Sequence, residues 1–191
     1  IYNALTIHGL AESHTGSLPS SVLALSNFWK NTAYNVGGHI LSLDDIEHGI
    51  LRGNRPHPAS STPSFTQQDP RCELTVTDVD PRIHFALVCG AKSCPAINVY
   101  SESNLEHGLT AAARSFCSQE VHIDGMKVML SKIFIWYKQD FASDDKSLLR
   151  WISQYLPAEK QLEMETLIKQ MEDGRKVDIT AKEYNWNLNK M

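Results

Sequence analysis

Ile83-His-Phe-Ala-Leu-Val-Cys89 is a nearly unbroken apolar run carrying one histidine, bounded by Pro81 and Gly90. A short apolar run closed off by turn residues has the pattern of a strand buried on both faces. It is expected to be the central strand of a sheet, with the remaining chain arranged to cover it. Alternation along such a strand sets His84 with Ala86 and Val88, and Cys89 with Phe85 and Leu87 on the opposite face, so these two side chains would not meet.

The flanking sequence mixes helical and strand patterns. Tyr2 to Glu12 carries a helical stripe that Gly16 and Pro19 interrupt, and Val22 to Phe28 reads as a second helix. Gly37-Gly38 and Asp124-Gly125 lie between strand-like residues and permit the positive φ angles of a tight hairpin. Ser42 followed by Asp45 has the form of a helix start, with the helix running through His48 to Arg52 and ending at Gly53. Between Gly53 and Pro81 come five prolines (Pro56, Pro58, Pro63, Pro70 and Pro81) and little periodicity, a long irregular loop that is either a lid or a surface insertion. Ser101 is expected to cap a helix through Phe116. Lys132 to Phe141, Asp145 to Tyr155 and Ala158 to Glu172 read as helices, followed by a strand near Val177 to Ile179 and a tail at Tyr184 to Asn189. These elements make an α+β protein, a helix-flanked, largely antiparallel sheet around a central buried strand, compatible by analogy with a papain- or transglutaminase-like arrangement.

The 191 residues suffice for one hydrophobic core, so residues 1–191 are expected to form a single domain. With 18 Lys and Arg against 22 Asp and Glu the net charge is −4, which argues against nucleic acid as a partner. No apolar run approaches the roughly 20 residues that span a bilayer, so no membrane association is expected. Four cysteines (Cys72, Cys89, Cys94 and Cys117) and no Asn-x-Ser/Thr sequence suggest thiols in a reducing, cytoplasmic setting rather than a disulfide scaffold.

Tyr2-Asn-Ala-Leu-Thr-Ile-His8, Ile46-Glu-His-Gly-Ile-Leu-Arg52, Asp80-Pro-Arg-Ile-His-Phe-Ala-Leu-Val-Cys-Gly-Ala-Lys-Ser-Cys-Pro95 and Ser131-Lys-Ile-Phe-Ile-Trp-Tyr-Lys-Gln-Asp-Phe141 occur in order, and with them the chain resembles the domain of unknown function 547 family. The family is associated with plant leucine-zipper proteins described as ternary complex factors, with bacterial proteins, and with animal proteins that carry glutaredoxin-like and DEP modules. The resemblance therefore implies thiol chemistry or signalling upstream, but supplies no catalytic residues. Because the chain opens inside the first motif, the first helix is expected to lack its N-terminal part.

The residues themselves nominate a thiol. Cys94 follows Gly90-Ala-Lys-Ser93 beyond the expected strand, and Lys92 would favour its thiolate, the reactive form. The competing reading makes Cys94 a small buried hydrophobe. His84 and His48 are the two candidate bases, each also readable as a structural histidine. Glu47, adjacent to His48 on a helix, is expected to point elsewhere. A Cys89–Cys94 disulfide is compatible with the spacing, although the motif is not Cys-x-x-Cys. His48, His84, Cys89 and Cys94 could chemically ligate zinc, but the spacing matches no zinc module, and neither a metal nor a cofactor is expected. Arg52, Arg55 and His57 either bind an anion or are solvated. The leading expectation is a cysteine-dependent hydrolase or acyltransferase acting on an amide or thioester, with Cys94 as nucleophile and His84 or His48 as base. The alternative is a non-catalytic interaction module with a protein or peptide partner.

Overall fold

The computed structural model describes residues 1–12 and 18–189. They fall into two compact units. The first takes the described residues of Ile1–Ile83, Leu87–Ile97 and Asn185–Met191, and the second takes His84–Ala86 and Asn98–Tyr184.

In the first unit α1 spans Tyr2–Glu12, while Gly16 lies outside the described residues. The stretch expected as one helix is two, a 3-10 turn at Val22–Ala24 and α2 at Phe28–Asn31. Asn27 between them takes the left-handed conformation, φ +52°, which breaks the helical path. Strands β1 (Ala33–Val36) and β2 (His39–Ser42) pair antiparallel with Val36 opposite His39, so Gly37 and Gly38 form the expected turn at φ +60° and +93°. Tyr2, Leu5, Val22, Phe28, Leu41, Leu43, Ile46 and Leu188 make this unit's core.

The start signal at Ser42 is realised with an aspartate in the acidic place. Asp45 Oδ2 accepts from both the backbone N–H and the hydroxyl of Ser42 (3.0 and 2.8 Å), and Ser42 Oγ accepts from Asp45 N–H (3.0 Å). The helix that begins here, Asp45–Leu51, is a π-helix, continued by the wide bond from Arg52 N–H to Glu47 carbonyl (2.9 Å). Helices of this type are rare and occur often at functional sites.

The irregular segment after Gly53 is fastened to that helix. Asn54 and Phe65 exchange two hydrogen bonds (3.0 and 2.9 Å), and the Phe65 ring lies against Gly49, where an added Cβ would sit 2.3 Å from Cζ. Arg71, on a 3-10 helix at Pro70–Leu74, donates to Asp45 Oδ2 (3.0 Å) and to the Ile40 carbonyl (3.1 Å) while lying 4.5 Å over the Phe65 ring.

The central-strand expectation fails. Pro81–Phe85 is a 3-10 helix, and Leu87 to Cys89 lie outside any strand. The cause lies just before the apolar run. The Asp80 side chain accepts the Arg82 N–H (3.0 Å) and its carbonyl accepts the Ile83 N–H (3.2 Å), so Asp80-Pro81 is a helix start with proline in the first turn. Burial is nonetheless extensive, with Ile83 through Ala86 and Val88 all buried.

The second unit contains α3 (Leu105–Glu120), β3 (His122–Asp124), β4 (Lys127–Leu130), α4 (Lys132–Trp136), α5 (Lys138–Phe141), α6 (Asp145–Ser153), α7 (Ala158–Glu172) and β5 (Asp178–Ala181). Asn104 rather than Ser101 precedes α3, and its side chain accepts the Ser101 N–H (2.7 Å). Asp124 pairs with Lys127, so the hairpin turn is Gly125-Met126, one residue later than expected. Strand β5 joins β4 in parallel, with Val128 opposite Ile179, which makes this sheet mixed. Lys160 of α7 donates to the carbonyls of Ser118 and Val121 (2.8 Å each), placing a cation at the C-terminal end of α3.

The described residues form an α+β architecture with two small sheets. Phe85 is fully buried in the second unit's core, with its ring centroid 4.8 Å from Phe116, 5.5 Å from Phe134 and 5.8 Å from Phe141.

Two substitutions test this description. Phe85→Ala is expected to destabilise the protein by about 3–5 kcal/mol in urea unfolding, from lost transfer energy plus a cavity. Gly49→Ala should cost about 1–3 kcal/mol by forcing the Phe65 ring to shift, and Phe65→Leu in the same chain should recover part of that loss.

Candidate functional site

Cys89 and Cys94 lie on one turn of the first unit. Gly90 sets its path at φ +94°, a conformation that residues with side chains rarely adopt, and a Cβ there would press on Leu10 Cδ1 at 2.9 Å. The Cys94 N–H donates to the Ala91 carbonyl (3.1 Å) and closes the turn. Cys94 Sγ accepts the Cys89 N–H (3.2 Å), and the two sulfurs are 2.7 Å apart. None of the four cysteines is in a disulfide, and Cys89 and Cys94 are partly exposed while Cys117 is buried. A hydrogen bond donated onto sulfur favours negative charge there.

The C-terminal tail holds this turn in place. Lys92 N–H donates to the Asn187 carbonyl (2.9 Å), Ser93 N–H to the Asn185 carbonyl (3.3 Å), and Asn189 N–H to the Gly90 carbonyl (2.9 Å). The Ser93 hydroxyl accepts the Asn185 N–H (2.9 Å). On the other side, Asn3 of α1 accepts the Val88 N–H (3.0 Å). Lys92 is exposed.

A second polar group is built on the π-helix. His48 and Arg52 are both buried, and Arg52 Nη1 donates to His48 Nδ1 (3.0 Å) and to the Pro56 carbonyl (2.8 Å). A guanidinium only donates, so Nδ1 supplies the lone pair and Nε2 carries the ring proton, facing Asp44 Oδ1 at 3.9 Å. The His57 ring stands edge-on to His48 at 4.8 Å. Glu47, expected to point away, lies 4.0 Å from His48 Nδ1 and accepts from the Tyr2 hydroxyl (2.9 Å). Burial raises the Asp44 carboxyl above its ordinary range, against the attraction of His57 and with added repulsion from Glu47. Of Arg52, Arg55 and His57, weighed as an anion site, Arg52 is bonded to His48 and Pro56, and His57 packs its ring against His48.

His84 belongs to the second unit. Its Nε2–H donates to Asp140 Oδ2 (2.8 Å), with both side chains almost wholly buried. The ring stacks on Tyr137 at 4.0 Å and tilts against Phe141 at 5.4 Å. The carboxylate fixes the tautomer and leaves Nδ1 as the basic nitrogen, which is how an orienting acid prepares a histidine base. His48 lacks that arrangement because Arg52 engages its lone pair.

Of the residues singled out in the sequence, the first unit therefore holds Cys89, Cys94 and His48, and the second holds His84. Cys72 donates to the Thr66 carbonyl (3.2 Å). Cys117 packs in the second core, where burial pushes its thiol up to about 12. Among the described residues no group of three or more His, Cys, Asp or Glu is placed to hold a metal ion, and no helix is long and apolar enough to cross a membrane.

The family model described as "Protein of unknown function, DUF547" matches residues 1–117. The chain belongs to the DUF547 family. Neither the curated proteins nor the solved structures compared with it give a match. The DUF547 span includes His48, His84, Cys89 and Cys94, whereas Asp140 and the tail that holds the cysteine turn lie beyond it.

Sequence reasoning missed Asp140, 56 positions from His84, and no local pattern marks it. It also missed the pairing of Arg52 with His48, although their i, i+4 spacing was a usable signal. The alternating amide and apolar residues of Asn185-Trp-Asn-Leu-Asn189 gave a cue to the tail's extended course.

Asp44 yields a pH test. Because its carboxyl is raised in the folded state, its ionisation favours unfolding, so the stability it contributes below about pH 4, the unfolded carboxylate range, is lost as pH rises through the folded value. Asp44→Asn is therefore expected to be more stable than the parent at pH 7, with the difference shrinking toward pH 4, as measured by urea unfolding at both pH values.

Proposed function

We propose that the domain is a cysteine-dependent hydrolase or acyltransferase acting on an amide or thioester, with Cys94 as its nucleophile. The observation that carries this reading is the hydrogen bond from the Cys89 N–H onto Cys94 Sγ in a turn fixed by the chain on both sides. It gives a partly exposed sulfur a defined position and a donor that supports the thiolate. Cys72 and Cys117 are poorer candidates, one bonded to a loop carbonyl and the other buried with a raised thiol.

In the reaction the Cys94 sulfur adds to the carbonyl carbon of a thioester and the substrate thiolate departs, leaving an acyl group on Cys94. Water or an acceptor nucleophile then takes the acyl group, its proton passes to a base, and Cys94 is regenerated. His48 is not assigned this role, since Arg52 already binds its lone pair.

The test is mass spectrometry on the full, reduced chain treated with a simple aryl thioester or with limiting iodoacetamide at pH 7. An adduct on Cys94 formed at least tenfold faster than on any other cysteine is expected, and lost in Cys94→Ala. Equal, slow labelling of all thiols with no acyl adduct would overturn this function and leave the interaction module as the better reading.

A further inference from the structure

The spacing of the two sulfurs on the cysteine turn carries a second chemistry. The geometry points to Cys89 and Cys94 as a reversible dithiol–disulfide couple that takes a small aliphatic disulfide of the glutathione type as its oxidising co-substrate. Three features support this. The sulfurs face each other at 2.7 Å with no disulfide joining them, so bonding them requires no large backbone movement. Both residues are partly exposed, which admits a small reagent. The turn that brings them together is held by backbone bonds to Asn185, Asn187 and Asn189 and by the Asn3 side chain at Val88, so much of the entropy of bringing the thiols together is lost on folding.

The Cys89 N–H on Cys94 Sγ marks Cys94 as the attacking sulfur. Its thiolate attacks one sulfur of the small disulfide. The Cys94–S bond to that half forms, the reagent's S–S bond breaks, and one small thiolate leaves. Cys89, after losing its proton to water, then attacks Cys94 Sγ. The Cys89–Cys94 bond forms and the second small thiolate leaves. Two protein thiols are thereby oxidised by two electrons, and one small disulfide is reduced to two small thiols. Oxidation would also remove the nucleophile assigned above. The proposal rests on that reading only in requiring Cys94 to be reactive, and needs no acyl transfer.

The experiment equilibrates the full chain in reduced and oxidised glutathione at varied ratio, quenches with acid, and alkylates under denaturing conditions before intact-mass and peptide analysis. The expected result is the cooperative loss of two alkylatable thiols, mapped to a Cys89–Cys94 linkage and fully reversed by excess reduced glutathione. In Cys89→Ser the expected product is a persistent mixed disulfide of glutathione on Cys94. Retention of all four thiols, separate glutathione adducts on Cys89 and Cys94, or a bond involving Cys72 or Cys117 would each overturn the couple, and the parent chain alone gives these outcomes if the variant does not fold. Rapid acylation of Cys94 with no internal disulfide sinks this proposal alone. An internal disulfide with no acyl adduct sinks the acyl-transfer reading alone.

Discussion

The cysteine turn depends on backbone hydrogen bonding that no segment close to it in sequence supplies. Gly90, Lys92 and Ser93 use their main-chain groups on Asn185, Asn187 and Asn189, and buried peptide groups left without such partners carry a large desolvation cost. Gly90 makes the approach possible, because its positive φ is one that residues with side chains rarely adopt. Helix α1 contributes Asn3 on the other side. The position of Cys94 Sγ is therefore a property of the first unit as a whole, which is what a reactive group needs if its geometry is to persist.

The π-helix plays a comparable organising part. Its first turn is tied by Ser42 and Asp45, its Gly49 receives the Phe65 ring, and Arg71 reaches back from the irregular segment to the same Asp45. Around it Tyr2 donates to Glu47 and Arg52 to His48, with Asp44 3.9 Å from the His48 ring. Polar networks rigidify when their members are paired. His48 is held in this framework by Arg52, which binds its lone pair, whereas the buried His84 is held by the Asp140 carboxylate.

The local signals were legible. The Gly37-Gly38 turn, the Ser42–Asp45 start and the helix at Ala158–Glu172 could each be read from a few neighbouring residues, because the physics that sets them is local. The strand expected at Ile83 to Cys89 shows where this breaks down. Apolar runs do not themselves distinguish a buried strand from a buried helical turn, and Asp80-Pro81 decided in favour of the turn. That error also invalidated the alternation argument separating His84 from Cys89. Cys94 was legible as a candidate from its turn residues. Asp140 and the tail were not, because long-range pairing leaves no trace at either partner's own position.

The path of the chain has a bearing on when the thiol site comes into being. The first unit is left at Ile97 and resumed at Asn185, with most of the second unit in between. On a ribosome, domains form as their residues emerge, and contacts between distant residues form late. The segment that fixes Gly90 to Ser93 is made some ninety residues after them. During synthesis Cys89 and Cys94 thus lack the tail's hydrogen bonds, and the turn that carries them is completed only when the tail arrives.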